Sequence, residues 1–121
     1  MSQPNGIRLL VCGGRDFDDS RFVFEVLDRA ASRRPIDVLI QGGAKGADRI
    51  AAQWAHARCV PYLTVPADWD QYGKAAGHIR NAKMLDMQPD SVVAFPGGRG
   101  TADMVRRARE AGLVVWEPRH G

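Results

Sequence analysis

The chain has 121 residues, 45% of them apolar, which suits one compact domain with a real core. Its formal net charge of +3 is too mild to define a nucleic-acid surface, and would suit an anionic small molecule equally well. No apolar run approaches the ~20 residues of a membrane span, the start MSQPNGIRLLVCGG lacks a signal-peptide pattern, and Cys12 and Cys59 form no CxxC or metal-type cluster; a cytoplasmic, thiol-reduced protein without a bound metal or cofactor is expected.

Ile7 to Cys12 (IRLLVC) reads as a buried strand. Asp18, Asp19 and Ser20 can cap a helix whose apolar face holds Phe22, Val26 and Ala30 beside Val23 and Leu27, and Pro35 stops it. Val38 to Gln41 is a second strand. A helix follows, with Ala47, Ile50, Ala51, Trp54 and Ala55 as its stripe. Val60 to Val65 is a short third strand, and Pro66 to Gly77 reads as a loop before a helical face of Ile79, Ala82 and Leu85. Ser91 to Phe95 is a fourth strand. Thr101 can cap the helix carrying Ala102, Val105 and Ala108, Gly112 ends it, and Leu113 to Trp116 is a fifth strand.

Strands alternating with helices predict an α/β, Rossmann-like, three-layer domain over residues 7–117, with a parallel five-stranded sheet and short tails at 1–6 and 118–121. The strands are apolar runs, as expected where both faces are covered. In such sheets a ligand sits at the carboxyl ends of the strands.

Three strands end in glycine pairs: Gly13-Gly14-Arg15-Asp16, Gly42-Gly43-Ala44-Lys45-Gly46-Ala47-Asp48, and Pro96-Gly97-Gly98-Arg99-Gly100-Thr101. Each lies between a strand and the next helix, so all open on one edge of the sheet. A helix N-terminus behind such a loop presents free N–H groups and partial positive charge. Each such charge interaction is worth only about 0.3–1 kcal/mol when exposed, so cations are needed too, and Arg15, Lys45, Arg80 and Arg99 can supply them. One glycine pair is as easily a tight turn; three in register point to a phosphate site. Neither G-x-G-x-x-G nor G-x-x-x-x-G-K-[ST] occurs, which disfavours a dinucleotide cofactor and a Walker-type ATPase.

PGGRGT at 96–101 resembles the PGGxGT motif of the SLOG superfamily, which includes the Lonely-Guy phosphoribohydrolases and the DNA-processing protein A family. With VCGGRDFDD at 11–19, VLIQGGAKGAD at 38–48, ADWDQYGKAAGHIRNAKML at 67–85 and VVAFPGGRGTADMV at 92–105, the chain is most similar to the small YspA/YpsA-related SLOG proteins. The resemblance implies a Rossmann-like fold, a nucleotide-type ligand and a homodimer, whose interface Trp54, Met84 and Met87 could line, though core packing explains these side chains as well. In the Lonely-Guy branch the motif is PGGxGTxxE with an upstream arginine–lysine pair, and the arginine and glutamate support cleavage of the base–ribose bond of a nucleoside monophosphate. Arg80 matches the arginine, Asn81 stands where lysine is usual, and Met104 occupies the glutamate position. Methionine cannot accept a proton as a carboxylate does, so the reading moves from cleavage towards binding. Arg80, Asp48 and Asp103 are the catalytic candidates if cleavage occurs, although Asp103 faces roughly 100° away from its neighbour on a helix.

Other residues keep two readings. Asp48 compensates a helix dipole or contacts a ribose hydroxyl, and Asp16 stabilises its turn or faces the ligand. Arg80 and Asn81 clamp phosphate or lie solvated. Lys74 can add charge from a mobile loop, and Trp69 stacks on a base or anchors that loop. His78 touches the ligand or not; His56, His78 and His120 have no partner at metal spacing. Cys12 reads as core. Arg106, Arg107 and Arg109 make a basic face whose ordinary meaning is solvation, with single-stranded DNA binding the weaker alternative.

Overall fold

The fold is taken from a computed structural model that describes residues 6–120. Residues 1–5, most of the expected N-terminal tail, and residue 121 lie outside the described residues.

The order of elements is β1 (Ile7–Cys12), α1 (Ser20–Arg33), β2 (Ile36–Gln41), α2 (Ala47–Ala57), β3 (Tyr62–Thr64), α3 (Trp69–Tyr72), a 3-10 turn (Gly73–Ala75), α4 (Ala76–Asp86), β4 (Ser91–Ala94), α5 (Arg99–Glu110) and β5 (Val114–Trp116). All strands pair parallel in the order β3-β2-β1-β4-β5. The chain thus forms the single α/β domain with a five-stranded parallel sheet that the alternation of patterns predicts.

Side chains alternate across a strand, and β1 divides them between two cores. Leu9 and Val11 join Val23 and Leu27 of α1 and Ala51 and Trp54 of α2. Leu10 and Cys12 join Met84 of α4 and Met104, Val105 and Ala108 of α5. The sheet therefore lies between α1/α2 and α4/α5. Asp19 caps α1 by accepting the Phe22 N–H at 3.0 Å, and Arg34 leaves the helix in extended backbone before Pro35.

Several local expectations are corrected. β3 is shorter than Val60 to Val65 and wholly exposed, because it is an edge strand rather than a two-face-buried one. The stretch 66–77 is not one loop: Asp68 accepts the Gln71 N–H and starts α3. The buried face of α4 is Ala76, Asn81 and Met84, with Ile79, Ala82 and Leu85 only half-buried. Thr101 does not cap α5, which begins at Arg99 behind Gly98. Trp54 and Met84 are 1% and 2% exposed and belong to the cores of a single chain, and Met87 packs against the second core, so the first two offer nothing to a dimer interface.

Candidate functional site

The loops after β1, β2 and β4 meet at the carboxyl edge of the sheet. Gly14 ties them: its N–H donates to the Pro96 carbonyl at 2.8 Å, and its carbonyl accepts the Ala47 N–H at 3.1 Å. Gly46, at φ +75°, enters α2 in the left-handed region, where an added Cβ would run into the Gly14 carbonyl oxygen; only glycine fits. Buried Gln41 braces the second loop. Its Oε1 accepts the Gly43 N–H at 2.6 Å and its Nε2 donates to the Thr64 hydroxyl at 2.5 Å. Gln41 reads as part of a strand; its side-chain role depends on β3 standing beside β2, which no local pattern reveals.

Together the loops floor an open cleft of about 970 Å³. It brings together Gly13, Gly14, Arg15, Asp16, Gly42, Gly43, Ala44, Lys45, Asp48, Trp69, Arg80, Asn81, Pro96, Gly97, Gly98, Arg99, Gly100 and Thr101, all expected from sequence. It leaves out three. Gly46 lies behind the loop as its pivot, Lys74 is exposed on the 3-10 turn, and Asp103 is buried in α5. Arg49, Phe17, Pro66, Ala67, Gly77, Met84 and Cys12 also line the cleft. Arg49 follows Asp48 in the first turn of α2, and its place beyond the glycine run hid it.

The charge of the cleft is one-sided, with five basic side chains against the carboxylates of Asp16 and Asp48. Arg15, Lys45, Arg49 and Arg99 make no hydrogen bond or ion pair with any described side chain. α2 and α5 both start at glycine with no side-chain cap, whereas α1 and α3 are capped by aspartates. The first-turn N–H groups of α2 and α5 thus have no capping side chain, although the Ala47 N–H is taken by the Gly14 carbonyl.

Asp48 and Arg80 form the centre. Asp48 is 5% exposed; its Oδ2 accepts the Ala44 N–H at 3.2 Å. Burial pushes its carboxyl up to about 6, and the backbone hydrogen bonds at Ala44 and Gly42 and the charge of Arg80 offset only part of that. Arg80 donates from Nη1 to the Gly42 carbonyl at 2.9 Å and from Nε to Asn81 Oδ1 at 3.1 Å. Asn81 in turn donates from Nδ2 to the Gly100 carbonyl at 3.2 Å and to Asp103 Oδ2 at 3.0 Å. The amide is oriented by these acceptors, and its oxygen is thereby presented to Arg80.

Asp103 is held rather than free. Burial alone would raise its carboxyl, but hydrogen bonds from Asn81, Arg107, His78 and Arg106 outweigh burial and hold it well below the usual carboxylate range. Arg107 Nε and Arg106 Nη2 each reach it at 2.9 Å, and His78 Nδ1 lies 3.2 Å away. A carboxylate so engaged is a weak base. Met104 is fully buried in the second core. The basic run on α5 is largely neutralised: Arg106 also pairs with Glu110 and Arg109 with Glu117. Cys12 is buried, and desolvation pushes its thiol up to about 12, with the nearby charge of Asp48 adding to the rise. No group of His, Cys, Asp and Glu among the described residues could hold a metal ion.

Comparison with known proteins adds two findings. A model of the YspA, cpYpsA-related SLOG family matches residues 7–72, from β1 through α3. The Gene 61 protein of Mycobacterium phage D29 is 39% identical over 116 residues, covering 89% of this chain and 93% of that protein. No solved structure matches the chain.

Proposed function

Because the chain belongs to the YspA, cpYpsA-related SLOG family, we propose that it binds a phosphorylated, nucleotide-derived small molecule in the cleft at the carboxyl edge of its sheet. The observation that carries this reading is the set of four cations, Arg15, Lys45, Arg49 and Arg99, unpaired among the described residues, around two helix starts that have no side-chain cap. One helix start contributes about 0.3–1 kcal/mol to an exposed anion, which is too little for micromolar affinity near 8 kcal/mol. Two starts with several charge-assisted hydrogen bonds, at about 1.5–3 kcal/mol each, reach that range. Titrating AMP, ADP-ribose, NAD and cyclic nucleotides by calorimetry tests the proposal. Saturable binding of one of them supports it; heat of dilution alone across the panel overturns it.

A second reading is favoured by Asp48. A carboxyl near 6, lining the cleft with Arg80, is suited to proton transfer near neutral pH. In N-glycosidic hydrolysis the bond from the anomeric carbon to the base would break as protonated Asp48 donates to the departing base and Arg80 holds the phosphate; water would then add its oxygen to the anomeric carbon and return a proton to the Asp48 carboxylate. Chromatography for free base released from a nucleotide panel decides: background-level release removes this reading and leaves the binding one intact.

A homodimer and a cytoplasmic location complete the proposal and rest on the family resemblance and on composition. No helix among the described residues is long and apolar enough to cross a membrane. A monomeric mass by light scattering would contradict the dimer.

A further inference from the structure

The cleft has two unlike walls. The three glycine loops make the cationic one. The other is the segment from the end of β3 into α4, where Pro66, Ala67, Trp69, Gly77 and Met84 line it. Trp69 is 54% exposed, more than any other tryptophan, tyrosine or phenylalanine among the described residues. It is not loosely placed. The capping of α3 by Asp68 sets its backbone, and a Cβ at Gly77 would stand 3.6 Å from Cη2 of its indole, so the ring rests against the start of α4.

The other two tryptophans serve packing. Trp54 is 1% exposed and its Nε1 donates to Asp28 Oδ1 at 2.8 Å, while Trp116 packs against the first core. The Trp69 indole has neither a hydrogen bond to any described residue nor a place in either core. Leaving 54% of the residue exposed forgoes roughly half of the about 1.5–3 kcal/mol that full burial of a large apolar side chain is worth, and a ligand covering the ring would recover it.

The surroundings select the ligand chemistry. Five basic side chains in the same cleft repel a cation, so a quaternary ammonium on the indole face is excluded. An acyl chain needs a continuous apolar pocket, and this wall offers one exposed ring beside Pro66, Ala67 and Gly77, with Met84 only 2% exposed. A flat, neutral π system with polar edges fits.

We infer that Trp69 is a stacking platform for an aromatic base, so that the ligand spans the cleft with its base on the α3 wall and its phosphate on the glycine loops. The inference rests on the anion-binding reading above and adds that a sugar phosphate without a base leaves part of the site unused.

Calorimetry and tryptophan fluorescence with AMP, GMP, CMP, UMP and ribose 5-phosphate test it, on the wild type, Trp69→Ala and Trp69→Phe. At least one nucleotide should bind the wild type more tightly than ribose 5-phosphate and quench the exposed indole. Trp69→Ala should weaken that nucleotide roughly 10- to 100-fold, the loss expected when a stacking aromatic is removed. It should leave ribose 5-phosphate within twofold, and Trp69→Phe should recover most of the nucleotide affinity. Equal weakening of both ligands, or none, overturns the platform while the anion site stands. Binding of neither ligand class to the wild type overturns the anion reading and the platform with it.

Discussion

Arg80 Nη1 donates to the Gly42 carbonyl oxygen at 2.9 Å, joining α4 to the loop after β2 across 38 positions of chain. The contact is close enough that a Cβ on Gly42 would collide with the guanidinium. Gly42→Ala should therefore act by displacing Arg80. Arg80→Ala should weaken nucleotide binding roughly 10- to 100-fold, the value of one charge-assisted hydrogen bond of about 1.5–3 kcal/mol. Gly42→Ala should weaken it by a similar factor, and the double variant by little more than either. Additive losses in calorimetry would show that the two residues act separately.

Asp48 makes stability depend on pH in an unusual direction. Its carboxyl rises from 3.8 in the unfolded chain to about 6 in the folded one. Between about pH 4 and 6 the folded state holds more protons, so stability falls as pH rises through that window, by roughly 3 kcal/mol in total. Asp103 is shifted downward, so its contribution is present above the unfolded carboxylate value and is lost only as pH falls below about 4. Urea unfolding of wild type and Asp48→Asn at pH 4.5, 5.5 and 7 separates the two. The gap between the variants should grow in favour of Asp48→Asn as pH rises and level off above 6; a constant gap would contradict the buried, high-pKa carboxyl.

Asp103 should behave as a structural anchor. Asp103→Asn leaves Arg106 and Arg107 without their shared carboxylate and loosens Asn81. We expect a loss of about 1–3 kcal/mol in urea unfolding. Any base-releasing activity should survive in the folded fraction of Asp103→Asn and disappear in Asp48→Asn. The reverse pattern would place the chemistry on α5.

The two cysteines should differ sharply towards a thiol reagent. Cys59 is exposed, whereas Cys12 is buried with its thiol pushed up to about 12. At pH 8 the native protein should release close to one equivalent of thionitrobenzoate promptly, and the second only on unfolding. Prompt reaction of both would mean that the cleft floor is open at Cys12.

Much of this arrangement is legible in the sequence because its determinants are local. IRLLVC announces a two-face-buried strand, and a glycine pair directly after a strand marks a loop at one sheet edge. Long-range determinants are not legible. Asp103 reads as a candidate acid beside Met104, and only the packing of α4 on α5 reveals Asn81, Arg107 and His78 around it. Trp54 reads equally as core or interface until Asp28 is found 26 positions away, accepting its indole N–H. β3 reads as buried from its composition, yet its place at the sheet edge leaves Tyr62 and Leu63 exposed. Arg49 enters the cleft through the direction of the first turn of α2, which spacing alone does not give.

Gly98 is the position at which a ligand seated on the glycine loops is most easily displaced without harm to the fold. It lines the cleft at the start of α5, and a Cβ there would meet nothing within 4 Å. A side chain at this position projects into free space and should leave the fold intact, within about 0.5 kcal/mol of the wild type. Calorimetric titration of wild type and Gly98→Leu with the tightest-binding nucleotide of the panel is the measurement. Saturable binding by the wild type is expected, with at least a 100-fold loss in a variant whose unfolding is unchanged. Equal affinity of the two proteins would contradict the placement of the ligand on the glycine loops.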